Sequence, residues 1–332
     1  MEDDAVCPRA DVPAVGPVAP RLAAAFAAPR AQRAALMPYF TGGWPDPQTS
    51  HRLVAEVIAA GADIVELGVP FSDPVADGPV VQRSTHEALE AGVTPDDVFA
   101  IAAAHSRAVP FVLLSYLNTV LAAPPERFFA RAAAAGVEAV VIPDLPVEEM
   151  VAPAADGMLA PAVDSTMVPI VNGLEAPAVD AMVAPAPVVP PRPVASPPAA
   201  APSLLDLART HGVALVPLAA PTSTDERLDL IAAAARAFVY CVAVTGVTGA
   251  RAQLGSELPS LVERLRRRTR TPLVAGFGIS TPEQAAAAAR IADGVIMGSA
   301  LIAAAAEALG AGGDPCVAAG ALVRAAAAAI AR

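Results

Sequence analysis

Short apolar runs alternate with stretches of helical period along most of this chain. The runs at 35–41, 63–69, 111–116, 139–143, 214–217, 237–244, 272–276 and 294–297 have strand length and are apolar on both alternating faces. Such runs read as strands. Between them, 51–60, 95–108, 125–135, 203–210, 226–235, 256–269 and 282–290 place apolar residues at helical spacing, and helical sequence follows the last strand. Eight β-then-α units predict a parallel barrel or a doubly wound sheet.

Two segments break the alternation. Residues 1–20 hold four prolines and no sustained period, and read as a disordered tail. Within 150–202, proline recurs every eighth residue at Pro153, Pro161, Pro169, Pro177, Pro185 and Pro193. The units APAADGML, APAVDSTM, VPIVNGLE and APAVDAMV keep Asp156, Asp164, Asn172 and Asp180 in phase before the pattern decays. Such spacing forbids a continuous helix and penalises a central strand. The preceding LPVEEMV at 145–151 resembles one unit, so the octad reads as a local duplication that grew into a flexible insertion. A docking or metal-binding array through the phased aspartates is the other reading. Setting both segments aside leaves roughly 260 residues, the usual size of a single (β/α)8 barrel, so the length favours the barrel over the open sheet. The predicted organisation is a tail at 1–20, a barrel from 21–149 and 203–332, and an insertion at 150–202 after the fourth strand. Lengthening one loop this much costs only about 2–3 kcal/mol of closure entropy, so the barrel survives it.

Composition then narrows the chemistry. All 22 Lys+Arg residues are arginine. Without lysine no side chain forms a Schiff base with a carbonyl or with pyridoxal phosphate, and a lysine-bearing P-loop is excluded. The net charge of -11 argues against nucleic acid. The one basic run, 264–270, reads as a solvated helix end. The longest uncharged run, 108–125, is broken by Pro110, Asn118, Pro124 and Pro125, which makes it a buried strand and loop rather than a membrane helix. The start Met1-Glu2-Asp3-Asp4 lacks the features of a signal peptide, so a soluble cytoplasmic protein is expected. Cys7, Cys241 and Cys316 suggest neither a disulfide frame nor zinc. His51, His86, His105 and His211 are dispersed and read as surface or core residues, and no metal site is expected.

Active sites of such barrels lie at the C-terminal strand ends, and four segments there carry chemistry. Glu66 stands in an otherwise apolar second strand. Burial raises a carboxyl's pKa and suits it to proton transfer near neutrality, although a polar bond to a neighbouring strand is the plainer role. Asp77 follows 11 residues later in a proline-broken loop, where it is a helix cap or a second carboxyl on the same substrate. The run 245–250 after the sixth strand is a plain turn or a mobile loop with free backbone donors. Glycines at 276–280 and 298–299 let the backbone approach a ligand beside helix N-termini, the common phosphate position in these barrels. A small phosphorylated metabolite is the expected substrate.

Together these segments resemble the tryptophan synthase alpha-subunit family. The most specific match is ELGVPFSDPVADGP at 66–79, supported by YFTGGWPD at 39–46, IPDLPVEE at 142–149, VTGVTGAR at 244–251, GFGIS at 276–280 and GSA at 298–300. The resemblance implies retro-aldol cleavage of indole-3-glycerol phosphate to indole and glyceraldehyde 3-phosphate. It implies Glu66 and Asp77 as the catalytic pair, and phosphate contacts at Gly249, Phe277, Gly278, Gly298 and Ser299. It further implies an indole pocket of Tyr39, Leu114, Tyr116, Val141, Pro143 and Tyr240, and a loop closed through Thr248. No cofactor is expected on this chain; an α2β2 complex is, with pyridoxal phosphate on the beta subunit. The rim at 73–77, Asn118 and the segment after the fourth strand would meet that partner. The alternatives are a lyase that releases free indole alone and a non-catalytic regulatory subunit of the beta enzyme.

Overall fold

The computed structural model describes residues 18–30, 33–152, 202–242, 257–276 and 278–331. In chain order its elements are α1 (Pro20–Arg30), β1 (Ala35–Thr41), α2 (Pro47–Ala59), β2 (Val65–Gly68), α3 (Pro79–Glu90), α4 (Pro95–His105), β3 (Phe111–Leu114), α5 (Leu117–Leu121) and α6 (Pro125–Ala134). There follow β4 (Val137–Val141), α7 (Val147–Val151), α8 (Leu204–Thr210), β5 (Ala214–Val216), β6 (Leu218–Ala219), α9 (Asp225–Ala234) and β7 (Val239–Val242). The last are α10 (Leu258–Arg266), β8 (Leu273–Gly276), α11 (Pro282–Ala289), β9 (Gly294–Met297), α12 (Ser299–Gly310) and α13 (Pro315–Ile330).

Every strand pairing described is parallel, in the order β5-β4-β3-β2-β1-β9-β8-β7-β6. The two ends of that order, β5 and β6, are consecutive pieces of one stretch. The sequence predicts a single strand at 214–217; the structure splits it at Pro217, which has no N–H to give a ladder. The Pro217 carbonyl still accepts from Tyr240 N at 3.0 Å, so the chain itself carries the sheet round from β4 to β7. The result is a (β/α)8 TIM barrel with its fifth strand broken. Most strand positions are buried, β1 at all seven, which explains why the apolar runs are continuous rather than alternating.

Proline opens α2, α3, α4, α6, α11 and α13, where its missing N–H costs nothing. Asp46 caps α2 by accepting from Thr49 N at 2.9 Å, and Thr281 with Gln284 forms a capping box on α11. The α3 helix, absent from the sequence reading, buries Val81, Ser84, Thr85 and Ala88. Two of those are hydroxylic and one is alanine, so the apolar stripe that would reveal it is faint.

The barrel begins earlier than its predicted boundary. Ala19 is buried, and α1 sets Leu22 and Phe26 into the core, with the Phe26 ring 5.7 Å from that of Phe238. The Glu138 carboxylate, in β4, accepts from the backbone N–H of Arg21 and of Leu22, both at 2.9 Å, and so satisfies orphan donors of the helix start. At the other break, α7 ends at Val151 and buries Met150, the first residue of the segment assigned to the octad insertion. Otherwise the predicted tail and insertion fall outside the described residues.

Candidate active site

Glu66 lies in β2, paired in register with Tyr39 of β1 and Val112 of β3. It is fully buried, and neither carboxyl oxygen has a hydrogen-bond partner among the described residues. The backbone polar bond that the plainer reading required is therefore missing. An ionised carboxylate stripped of water and donors is costly, so the group holds its proton. Burial first, and then the charge of Asp77, push the Glu66 pKa up to about 8.

Asp77 sits in the turn before α3. Its N–H donates to the Pro74 carbonyl at 3.0 Å, and its own carbonyl accepts from Gln82 Nε2 at 2.9 Å. The N-cap of α3 is Gly78, without a side-chain bond, so Asp77 is not the cap. Instead the Tyr116 hydroxyl donates to Asp77 Oδ2 at 2.9 Å while accepting from Ala76 N at 3.0 Å. Phe71 stacks on Tyr116 with ring centres 5.1 Å apart, which ties the loop to the end of β3. Burial raises the Asp77 pKa to about 6, and the Tyr116 bond opposes that rise. At neutral pH the arrangement therefore favours one proton on Glu66 and a charge on Asp77.

A cleft opens at the C-terminal ends of the strands, lined by Tyr39, Asp77, Leu114, Tyr240, Gly298 and Ser299 among others. Burial and the two carboxyls hold the Tyr39 and Tyr240 hydroxyls well above their ordinary pKa, so both stay neutral. Their rings fit only because neighbouring strands lack side chains. A Cβ on Gly276 would stand 2.5 Å from Tyr240 Cε1 and Oη, and one on Gly298 2.9 Å from Tyr39 Cδ1. Gly276→Ala is expected to displace the Tyr240 ring and to destabilise the barrel by about 1–3 kcal/mol. Urea unfolding measures this; an unchanged midpoint would mean the ring has room to spare.

The end of the cleft where the sequence predicts phosphate contacts is formed by the start of α12 at Gly298–Ser299 and by Gly278, at φ +83. Gly278, Gly298 and Ser299 all line the cleft. Phe277, Thr248 and Gly249 fall outside the described residues. Of the six indole-pocket positions, Tyr39, Leu114 and Tyr240 line the open cleft. Tyr116 reaches it through Asp77, while buried Val141, at the end of β4, and half-buried Pro143 lie outside its lining, as does Glu66. The sequence reading missed Gly78, Val81, Ile279 and Ile296 in the lining. Gly78 and Ile279 lie in segments the sequence already marks, at 66–79 and 276–280, and Ile296 in a predicted strand; Val81 carried no signal. Among the described residues no group of three or more His, Cys, Asp or Glu is placed to hold a metal, and no helix is long and apolar enough to cross a membrane.

A parallel barrel with a buried glutamic acid in its second strand, and with an aspartate of lower pKa and a helix N-terminus at one cleft, defines a (β/α)8-barrel enzyme equipped for acid–base chemistry. The family pattern described as tryptophan synthase alpha chain matches residues 26–173 and 193–324, and its one interruption falls within the proline octad. Curated relatives named tryptophan synthase alpha chain include one from Chloroflexus aurantiacus, 40% identical over 286 residues (85% of this chain, 88% of the relative). Another, from Carboxydothermus hydrogenoformans, is 37% identical over 285 residues, with the same coverage of each chain. A solved Mycobacterium tuberculosis tryptophan synthase aligns with a TM-score of 0.72 and 32% identity, covering 94% of this chain and 98% of that one. The alpha subunit from Legionella pneumophila aligns with a TM-score of 0.71 and 30% identity, covering 93% and 98%. This chain belongs to the tryptophan synthase alpha chain family, and with it to the lyases of tryptophan biosynthesis.

Proposed function

We propose that Glu66 and Asp77 carry out the retro-aldol cleavage of indole-3-glycerol phosphate as general acid and anionic partner. The carrying observation is the pair itself: a fully buried, protonated glutamic acid and, in the cleft lining, an aspartate whose burial-driven rise the Tyr116 hydrogen bond limits to about 6. Protonated Glu66 gives its proton to indole C3, and the ring nitrogen becomes cationic. The Asp77 carboxylate accepts a hydrogen bond from that N–H and stabilises the charge. The Glu66 carboxylate then takes the proton of the glycerol hydroxyl next to the ring. The carbon–carbon bond breaks, its electron pair restores the aromatic ring, and glyceraldehyde 3-phosphate leaves as an aldehyde. Since the indole ring is the electron sink, the absence of lysine is no obstacle. Glu66 has no hydrogen bond among the described residues to surrender when its carboxyl turns toward the substrate.

In this reading the phosphate rests on the first amides of α12 at Gly298 and Ser299, with Gly278, Phe277 and Gly249 beside it. The indole ring lies against Tyr39, Leu114 and Tyr240, with Tyr116, Val141 and Pro143 behind them, and Thr248 closes its loop over the substrate. The indole passes to a beta subunit that holds pyridoxal phosphate, in a cytoplasmic α2β2 complex. The rim offers a contact surface for it: the loop at 73–77, where Val75 is 81% exposed, with Asn118 and the segment after β4. No cofactor is assigned to this chain.

Indole release from indole-3-glycerol phosphate, by the purified chain with and without a tryptophan synthase beta subunit, tests this. One indole per glyceraldehyde 3-phosphate, formed faster when beta is present, is expected. No indole under either condition would overturn the assignment, and a high rate indifferent to beta would favour a stand-alone lyase.

A further inference from the structure

His51 and His105 are 54 residues apart, but the packing of α2 against α4 brings their rings together. His51 Nδ1 and His105 Nε2 are 3.3 Å apart, with ring centres at 5.5 Å and planes inclined by 45°. Both are half-buried, and neither lines the catalytic cleft. We propose that this pair is a two-histidine site for a divalent transition-metal ion of the zinc, nickel and copper class.

The distance is the main argument. Imidazole nitrogens bind zinc at about 2.0–2.1 Å, and two such bonds at a tetrahedral angle hold the nitrogens about 3.3–3.4 Å apart. The pair already has that bite. Its present hydrogen bond shares one proton between the facing nitrogens. On ion binding that proton moves to the far nitrogen of the same ring, so both imidazoles stay neutral and both facing lone pairs are free. The nearest cation in sequence, Arg52, is turned to Asp314 at 2.5 Å. Water completes the coordination, since no third ligand joins the two histidines among the described residues. Imidazole donors without a carboxylate select zinc, nickel or copper over magnesium or calcium.

Calorimetric titration of the full chain with zinc chloride tests the site, with His51→Gln, His105→Gln and, as a control, His86→Gln. His86 faces Glu90 at 3.4 Å on the exposed side of α3 and represents incidental surface binding. One ion per chain is expected, with Kd weakened roughly 10–100-fold in either His51→Gln or His105→Gln and unchanged in His86→Gln. Zinc should raise Tm in the native chain but not in the two site variants, while indole formation by the metal-free variants stays unchanged. Failure to bind zinc, or binding that survives both site substitutions, overturns the proposal.

Discussion

Glu66→Gln is expected to lower kcat for indole formation by ~10^2–10^4-fold, the usual contribution of a positioned acid–base group. KM should change by only a few-fold. The amide has nearly the shape of the carboxyl it replaces, and it loses no hydrogen bond among the described residues because Glu66 makes none there. It simply carries no proton to give to carbon. The same substitution has a stability signature whose sign follows from burial. Glu66 titrates at about 8 in the folded chain against an ordinary value of 4.5. Between those values the folded state binds more protons than the unfolded one, so stability falls as pH rises through that window. Asp77, raised to about 6 from 3.8, adds a smaller fall of the same sign at lower pH. The wild-type chain should therefore lose urea resistance between pH 5 and 8.5, and Glu66→Gln should retain most of what the native chain loses. Substantial kcat in this variant would remove Glu66 from the mechanism; an equal pH loss would mean the group is not buried as described.

Asp77→Asn is the second large effect. Asparagine still accepts from the Tyr116 hydroxyl, so the bond that ties the 72–77 loop to β3 survives. What disappears is the negative charge opposite the developing indole cation. Removing one preorganised electrostatic partner typically costs ~10^2–10^3-fold, and kcat/KM should drop by that amount. A second consequence separates this role from mere positioning. The Asp77 charge is one of the two causes that raise Glu66, so Glu66 should titrate lower in the variant. The basic limb of its pH profile then moves toward neutrality. A near-native kcat/KM with an unmoved basic limb would show that Asp77 neither stabilises charge nor faces Glu66.

How much of this the sequence reveals depends on how local each cause is. Glu66 is legible because one charged residue interrupts a strand-length apolar run, a signal contained in a few residues. Asp77 is half legible. Its loop and its distance from Glu66 are visible, but its hydrogen-bond partner is Tyr116, 39 residues away just beyond the end of β3. The barrel follows from eight repeated units and from chain length, whereas the split at Pro217 needs the closed sheet to show that the two halves pair with different neighbours. The α1 helix is hidden because it gains its stability by closing on the barrel through Phe26 and Glu138, not through a strong stripe of its own. His51 and His105 read as dispersed for the same reason: only the packing of α2 on α4 makes them a pair. The glycines at 276 and 298 suggested room for a ligand, and in the structure they also make room for Tyr240 and Tyr39.

The division of protons between the two carboxyls is the centre of the account, and kcat/KM for indole release as a function of pH tests it most directly. That quantity reports the groups of the free enzyme. With Asp77 required charged and Glu66 required protonated, the profile should be a bell with its maximum near pH 7, an acidic limb near pH 6 and a basic limb near pH 8, belonging to the pair as a coupled unit. A profile that rises through pH 6 and stays level to pH 9 would contradict it, because the active form would then not need the proton on Glu66.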